Sequence, residues 1–283
     1  IVGGEGNQAS GRNSAIGGGR ANRVAGDYGT IAGGYDNTVT GESATVSGGR
    51  NHSASSNFTV VSGGEGNEAS GSHSSVGGGW HNVAKGRSSR ISGGFRNTAT
   101  KVGTAIGGGA DHRVDSLYGV VAGGVRNEVG SDSSYSAIVG GLDNTVMGAD
   151  SFIGGGRGNL ITDTAAAALV LGGQYHTVQA PYGYIGGGWK NWLDSSYGGI
   201  SGGALITARG IGVFVGGGAH HQTEGNYNVV GGGTQHTVTN TKHSVIVGGK
   251  TNTIRGRAQN FIGGGAHNLV NISNNVSSVE DRS

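Results

Sequence analysis

The sequence contains no cysteine, one proline and one methionine among its 283 residues. Without cysteine it cannot form disulfide bonds, which excludes a small disulfide-bonded scaffold and leaves the redox compartment undetermined. The near absence of proline excludes a collagen-like triple helix, although glycine fills 64 positions. No run of about 18 apolar residues occurs, so the sequence predicts no membrane-spanning helix. The abundant glycine must therefore belong to a fold other than collagen, a disulfide-bonded scaffold or a membrane-spanning helix.

Charge is also scarce, with 19 basic and 17 acidic residues and a formal net charge of +2. Nucleic-acid binding needs a basic stripe or cluster, so we predict no nucleic-acid partner. The first residues already follow a repeat and show no signal peptide, so we interpret the chain as a mature product or an excised fragment.

The dominant feature is an internal repeat of about 15 residues, [Ile/Val]-x-Gly-Gly-x-x-[Asn/His]-x-[Ala/Val]-x-Gly. Such self-similarity outweighs any local interpretation. We number positions within the repeat from the Ile or Val, which is position 1. Position 1 is occupied by Ile1, Ile16, Ile31, Val46, Val61, Val76, Ile91, Ile106, Val121, Ile138, Ile153, Val170, Ile185, Ile200, Val215, Val230, Ile246 and Ile262.

Each repeat holds two short apolar stretches, one ending at position 1 and one centred on position 9, separated by turn residues. The glycine density and the short stretches exclude helices. We therefore predict an all-β fold, a parallel β-solenoid of about 18 coils, in which each coil pairs with its neighbours. At ~4.8 Å per coil, the array would form a rod of roughly 80–85 Å.

The turn residues have predictable roles. The Gly-Gly pair follows an inward β-branched residue, where the chain must reach φ > 0 to turn. Position 7 is Asn in twelve repeats, His in five and Ile206 in one, and stacked Asn side chains are expected to form a hydrogen-bonded ladder. Position 2 is small or apolar and never charged. Two explanations stay open for position 2: close approach of another chain, or crowding within its own coil.

Several stretches resemble the head domains of trimeric autotransporter adhesins, the YadA-like left-handed parallel β-roll. They are GRNSAIGGG (11–19), GESATVSGG (41–49), GSHSSVGGG (71–79) and NTVTG (37–41). The resemblance covers about residues 1–270 and implies a left-handed β-roll, a homotrimer, and binding to extracellular matrix proteins or cells. Two features depart from the family, a period of 15 instead of a shorter one and a stronger Gly-Gly-Asn turn. Similar arrays occur in phage tail fibres.

Residues 271–283 depart from the repeat and contain no glycine. Ile272, Val276 and Val279 follow one heptad-like step, so this tail either begins a trimeric neck or is a disordered end.

Some motifs imitate known chemistry. Ile1–Gly4 matches the start of a trypsin-like protease, but the same letters recur at Ile138–Gly141 and Ile246–Gly249 as part of the repeat. The carboxylates are scattered over turns without a paired arrangement, so we predict no enzymatic activity. His221 and His236 share position 7 in neighbouring coils and, with His220, could bind a metal. We favour histidines that replace ladder asparagines, and predict no metal or cofactor.

Position 5 offers the best candidates for ligand contact. It is charged in many repeats and therefore faces solvent, yet it is Tyr35, Trp80, Phe95 and Trp189 in others. Trp80 and Phe95 lie one coil apart and could form an exposed aromatic patch. The alternative, which we favour, is stacking that shields the Gly-Gly turns.

The sequence thus predicts an extracellular or cell-surface adhesin module that binds itself and a matrix or cell-surface macromolecule. A virion tail-fibre or filament shaft is the second hypothesis, and a polysaccharide-degrading β-helix the third.

Overall fold

The computed structural model describes residues 1–256 and 259–272. It confirms an all-β parallel solenoid with about 17 turns of about 15 residues. Over these ranges the chain forms no helix, and hence no helix able to cross a membrane. The chain divides into two compact units, Ile1–Gly172 and a second that starts at Gly173.

Each turn contributes a strand to each of two parallel ladders. Ladder A strands end at position 1 and ladder B strands begin at position 8. Within each unit the strand residues pair with their equivalents in the next coil, as Ile16 does with Ile31 and Val24 with Val39. The backbone of each coil is therefore satisfied by its neighbours.

Ladder A comprises Ala15–Ile16, Thr30–Ile31, Thr45–Val46, Val60–Val61, Ser75–Val76, Arg90–Ile91, Ala105–Ile106, Val120–Val121, Ala137–Ile138, Phe152–Ile153 and Leu169–Val170 in the first unit. In the second unit it comprises Tyr184–Ile185, Gly199–Ile200, Phe214–Val215, Val229–Val230, Val245–Ile246 and Phe261–Ile262.

Ladder B comprises Gln8–Ala9, Arg23–Val24, Thr38–Val39, Ser53–Ala54, Glu68–Ala69, Val83–Ala84, Thr98–Ala99, Arg113–Val114, Glu128–Val129, Thr145–Val146 and Leu160–Ile161 in the first unit. In the second unit it comprises Thr177–Val178, Trp192–Ser196, Thr207–Ile211, Gln222–Asn226, Thr237–Lys242, Thr253–Gly256 and Leu269–Ile272. The last strand extends two residues beyond the predicted array boundary at residue 270, and residues 273–283 of the predicted tail lie outside the described residues.

The core is a column of β-branched side chains. Seventeen of the eighteen position-1 residues are at most 6 % exposed, from Ile16 to Ile262. Ile1, in the first coil of the given sequence, is the exception at 61 %. Position 9 faces the same interior from ladder B, with Val24 and Val39 fully buried. Alternation along each strand leaves the flanking residues outside.

The second glycine of each Gly-Gly pair has the positive φ that the sequence predicts, from +83° to +104° in all eighteen repeats. At Gly19 a Cβ atom would lie 2.1 Å from the carbonyl oxygen of Gly34. Both the left-handed backbone and the close approach of the next coil therefore require glycine here.

The position-7 ladder is present and buried. The Nδ2 of Asn37 donates to the carbonyls of Gly33 in its own turn and Gly49 in the next coil. Its Oδ1 accepts the backbone N–H of His52, the next residue in the column. One side chain thus links its own glycine turn to the coil that follows.

Histidine preserves the accepting half of this arrangement. The Nδ1 of His52 accepts the backbone N–H of Asn67 at 3.1 Å, and the Nδ1 of His221 accepts that of His236 at the same distance. An accepting Nδ1 must carry a lone pair, so the ring is neutral with its proton on Nε2. The rings of His221 and His236 stack at 4.9 Å with 5° between planes. These histidines are ladder residues, as the favoured interpretation held.

Ile106→Asp tests the core. An unpaired carboxylate in the buried column should lower the free energy of unfolding of the surrounding coils by several kcal/mol. We expect a lower melting temperature and faster amide exchange around residue 106. The control is Thr98→Glu, because position 8 already carries Glu68 and Glu128 on the outside. An unchanged melting temperature for Ile106→Asp would contradict the core assignment.

The histidine column predicts acid sensitivity. Burial, and secondarily the neighbouring His236, lower the pKa of His221 from 6.5 to about 4. Since the unfolded state binds the proton first, stability is complete above pH 6.5 and declines as the pH falls toward 4. His221 alone should account for a loss on the order of 3 kcal/mol.

Denaturant unfolding between pH 8 and 4 measures this loss. His221→Asn keeps a ladder side chain and should reduce the loss, while the other column histidines, whose pKa values burial also lowers, keep their share of it. His73→Asn, on the exposed surface, is the control for the loss of one histidine outside the column. Equal pH profiles for His221→Asn and the parent would show that the column does not titrate as described.

Candidate functional surfaces

The four predicted contact residues occupy a third, narrower row of parallel pairing at position 5. Tyr35, Trp80, Phe95 and Trp189 are all exposed, by 37–45 %. Each is joined to the coils beside it by a single backbone bridge, which fixes where its side chain leaves the surface. The rings therefore project from defined backbone positions.

Trp80 and Phe95 are brought together. Their ring centroids lie 4.5 Å apart with 14° between planes, the stack that the sequence suggested. His81 contacts the Trp80 ring edge-on at 3.9 Å, and the Arg96 guanidinium lies 4.6 Å from the Phe95 centroid. These four side chains form a continuous surface of two aromatic rings, an imidazole and a cation, which we call the aromatic patch.

The other two candidates lie apart from this patch. Tyr35 is bridged to Arg20 and Arg50, and the Arg20 guanidinium lies 6.0 Å from its ring centroid. Trp189 belongs to the second unit, where the Nζ of Lys190 lies 4.7 Å from its ring. A cation lies against each of these rings, as Arg96 does against Phe95, so both form intrachain cation–π pairs. What distinguishes the aromatic patch is the ring–ring stack of Trp80 on Phe95.

Ion pairs border the aromatic patch on both sides along the column. Arg50 pairs with Glu65 at 2.6 Å, and Arg96 pairs with Asp111 at 2.7 Å. All four side chains are partly exposed, so these pairs contribute little to stability. They do leave the aromatic rings within a rim of balanced charge, which is the usual composition around a binding contact.

A second aromatic row was missed by the sequence analysis. It lies at the third residue before position 1, where the aromatic residues all have φ between +55° and +62°, and we call it the tyrosine row. The aromatic members are Tyr28, Phe58, His73, Tyr118, Tyr135, Tyr182, Tyr197, Tyr227 and His243. Four pairs stack: Phe58–His73, Tyr118–Tyr135, Tyr182–Tyr197 and Tyr227–His243.

Rings in the tyrosine row also cover glycines. A Cβ at Gly103 would lie 2.5 Å from the ring of Tyr118, and one at Gly212 would lie 2.8 Å from that of Tyr227. The recurrence of aromatic residues at one repeat position was the available signal. The row has a structural explanation, since adjacent coils bring equivalent rings into stacking contact.

The outer face of ladder A is almost free of charge. It is formed by position 2 and by the residue just before position 1, which flank the buried side chain. Of all these residues only Arg90 is charged. The sequence analysis examined position 2 alone and overlooked the preceding residue, which is exposed and apolar at Val60, Val120, Phe214 and Phe261.

Glycines on this face separate the two explanations left open for position 2. A Cβ at Gly17 or Gly77 would lie 2.3 Å from the carbonyl oxygen of the next coil. Crowding within the chain therefore explains the position-2 glycines. Position 3 differs: a Cβ there meets no atom closer than 3.8 Å in any of the eighteen repeats.

The position-3 glycines also lack a conformational reason in most repeats. Fourteen of the eighteen have φ outside the left-handed range, and the other four have φ of +157° to +159°, close to extended backbone. Glycine in extended backbone costs roughly 0.5–1 kcal/mol relative to alanine. Among the described residues, no contact with the Cβ position requires glycine at position 3.

The described surfaces carry no cluster of metal-ligating side chains. Among the described residues no three His, Asp or Glu side chains are grouped as a metal site needs, and His220 lies outside the buried column that holds His221 and His236. Asp143 is bound by Arg126 through two hydrogen bonds, which lower its carboxyl pKa. A lowered carboxyl pKa suits an ion pair and not a general acid.

Comparison of the sequence with protein-family models gives no match, and no curated protein is significantly similar to it.

Proposed function

We propose that this chain is a non-enzymatic adhesin module of an extracellular or cell-surface fibre, which assembles as a homotrimer and binds a matrix or cell-surface macromolecule. The resemblance of its repeats to trimeric autotransporter adhesin heads supports this proposal. The observation that carries the binding role is the aromatic patch, in which Trp80 and Phe95 are stacked yet 37 % and 39 % exposed. Exposed, rigid aromatic rings are the side chains most often responsible for protein contacts.

Self-assembly rests on a different observation, the face of ladder A. This face carries exposed apolar side chains, and the open glycines of position 3 directly follow it along the chain. A sheet face of this kind without charge is normally covered in a soluble protein. Another copy of the same chain fits best, because every coil offers the same flat strip and a cyclic oligomer can turn the same face of each copy toward its axis.

A tail-fibre or filament shaft remains the alternative function. It is favoured by the tyrosine row, whose rings stack along the coils and need no ligand to explain them. A shaft would assemble through ladder A in the same way but would bind nothing through the aromatic patch. A polysaccharide-degrading β-helix is the weakest hypothesis, because acids such as Asp111 and Asp143 are engaged by arginines.

The double variant Trp80→Ser, Phe95→Ser tests the adhesin function. Removing both rings should weaken binding to collagen, fibronectin or whole cells by at least about tenfold, since truncating aromatic anchors costs the most binding energy. Binding is measured with immobilised ligands and with cells, and circular dichroism checks the fold.

The matched control is Tyr118→Ser, Tyr135→Ser, which removes another stacked pair. It should bind like the parent. Unchanged binding by the Trp80 and Phe95 variant would remove the aromatic patch as a site, and a parent that binds none of these ligands would favour the shaft.

Analytical ultracentrifugation tests the assembly. We expect a species of three 28.0-kDa chains at micromolar concentration. Gly123→Trp should dissociate it without unfolding the chain, because a Cβ at Gly123 meets no atom within 4 Å.

Arg87→Trp, at an exposed turn of the same unit, is the control and should remain trimeric. A monomeric parent would contradict the assembly, and a trimeric Gly123→Trp variant would place the interface elsewhere.

A further inference from the structure

Arg90 is the only charged residue on the outer face of ladder A. It is exposed, and it forms no ion pair with any acid among the described residues. The arginines at Arg50, Arg96 and Arg126, on other faces, each pair with a carboxylate of the next coil. Arg90 is therefore a cation without a counter-charge, on the face where a charge is least expected.

Its surroundings are those of an anion site. Arg90 lines a shallow depression together with Ser62, Ser75 and Ser92. Ser75 is its ladder partner in the preceding coil, and Gly77, which has no side chain, leaves the depression open between Ser62 and Ser92. Hydroxyl groups can donate to an oxyanion, and a guanidinium can bind one through two parallel hydrogen bonds.

In the proposed oligomer, the guanidinium groups of Arg90 from neighbouring copies would repel one another unless an anion is bound between them. In a cyclic oligomer the same coil of every copy lies at the same height, so copies of Arg90 approach one another around the axis. Like charges brought together out of water are costly unless a counter-charge is bound with them. The chain offers no carboxylate on this face to supply it.

We propose that Arg90, Ser75 and Ser92 of each copy form a shared site on the symmetry axis for a small oxyanion such as sulfate or phosphate. The site is incomplete in a single chain, and it rests on the proposed assembly through ladder A. The bound anion neutralises the clustered guanidinium groups and is released when the copies separate. Assembly is therefore linked to anion concentration.

Sedimentation equilibrium of the full chain tests the site, in sodium sulfate, sodium phosphate and sodium chloride at equal ionic strength. Sulfate strengthens apolar association in general, so the comparison between variants carries the test. The parent and the control Arg87→Ser should assemble at least about tenfold more tightly in sulfate or phosphate than in chloride. Arg90→Ser should assemble in chloride as tightly as the parent does in sulfate, and should keep only the general salt effect.

Each outcome has a distinct meaning. An oligomer whose anion dependence is the same in Arg90→Ser and in the parent would overturn the site and leave the proposed assembly standing. A chain that is monomeric in all three salts would overturn both. A preference for phosphate over sulfate, or the reverse, identifies the oxyanion without affecting the assignment of Arg90.

Discussion

The position-7 side chain is the interaction on which the rest of the structure depends. An asparagine inside the column, such as Asn37, donates to carbonyls of two successive coils and accepts a backbone N–H from the second. These bonds are buried, so losing one would leave polar backbone groups without partners, at about 1–3 kcal/mol each. The column therefore closes the Gly-Gly turn and fixes the spacing of the coils together.

The position-7 column keeps successive coils in register, and this register determines which side chains lie next to one another on the surface. Because each residue pairs with its equivalent one repeat away, a residue type that recurs in the sequence becomes a continuous row on the molecule. Trp80 and Phe95 become a stack in this way, as do Tyr182 and Tyr197. The structure tolerates insertions without losing the rows, as at the register shift between Thr223 and Gly225. A row of side chains on such a surface can bind another molecule only where contacts within the chain do not already cover it.

Glycine recurs at positions 2, 3 and 4 of the turn, and its surroundings differ at each of the three. At position 4 it meets a positive φ and a close carbonyl, as at Gly19. At position 2 it avoids the next coil's carbonyl, as at Gly77. At position 3 a Cβ would meet open space, as at Gly123, so no contact in the described chain requires glycine there. Residue type alone does not distinguish these three kinds of glycine.

The sequence by itself determined the parallel solenoid, its repeat length, the buried position-1 column and the Asn ladder. It could do so because a fixed repeat period places equivalent residues in contact. Ile106 therefore falls in the buried column and Asn37 in the hydrogen-bonded ladder. It also anticipated the stack of Trp80 and Phe95, since both share one repeat position in adjacent coils.

Only the tertiary structure decided which glycines are crowded and which are open, because that depends on distances between coils and not on residue type. It likewise showed that the aromatic residues of the tyrosine row, although they recur at one repeat position, stack in pairs at left-handed turns. It placed Arg90 beside Ser75 on an uncharged face, a neighbourhood that arises because the ladder brings residues 15 apart in the sequence side by side.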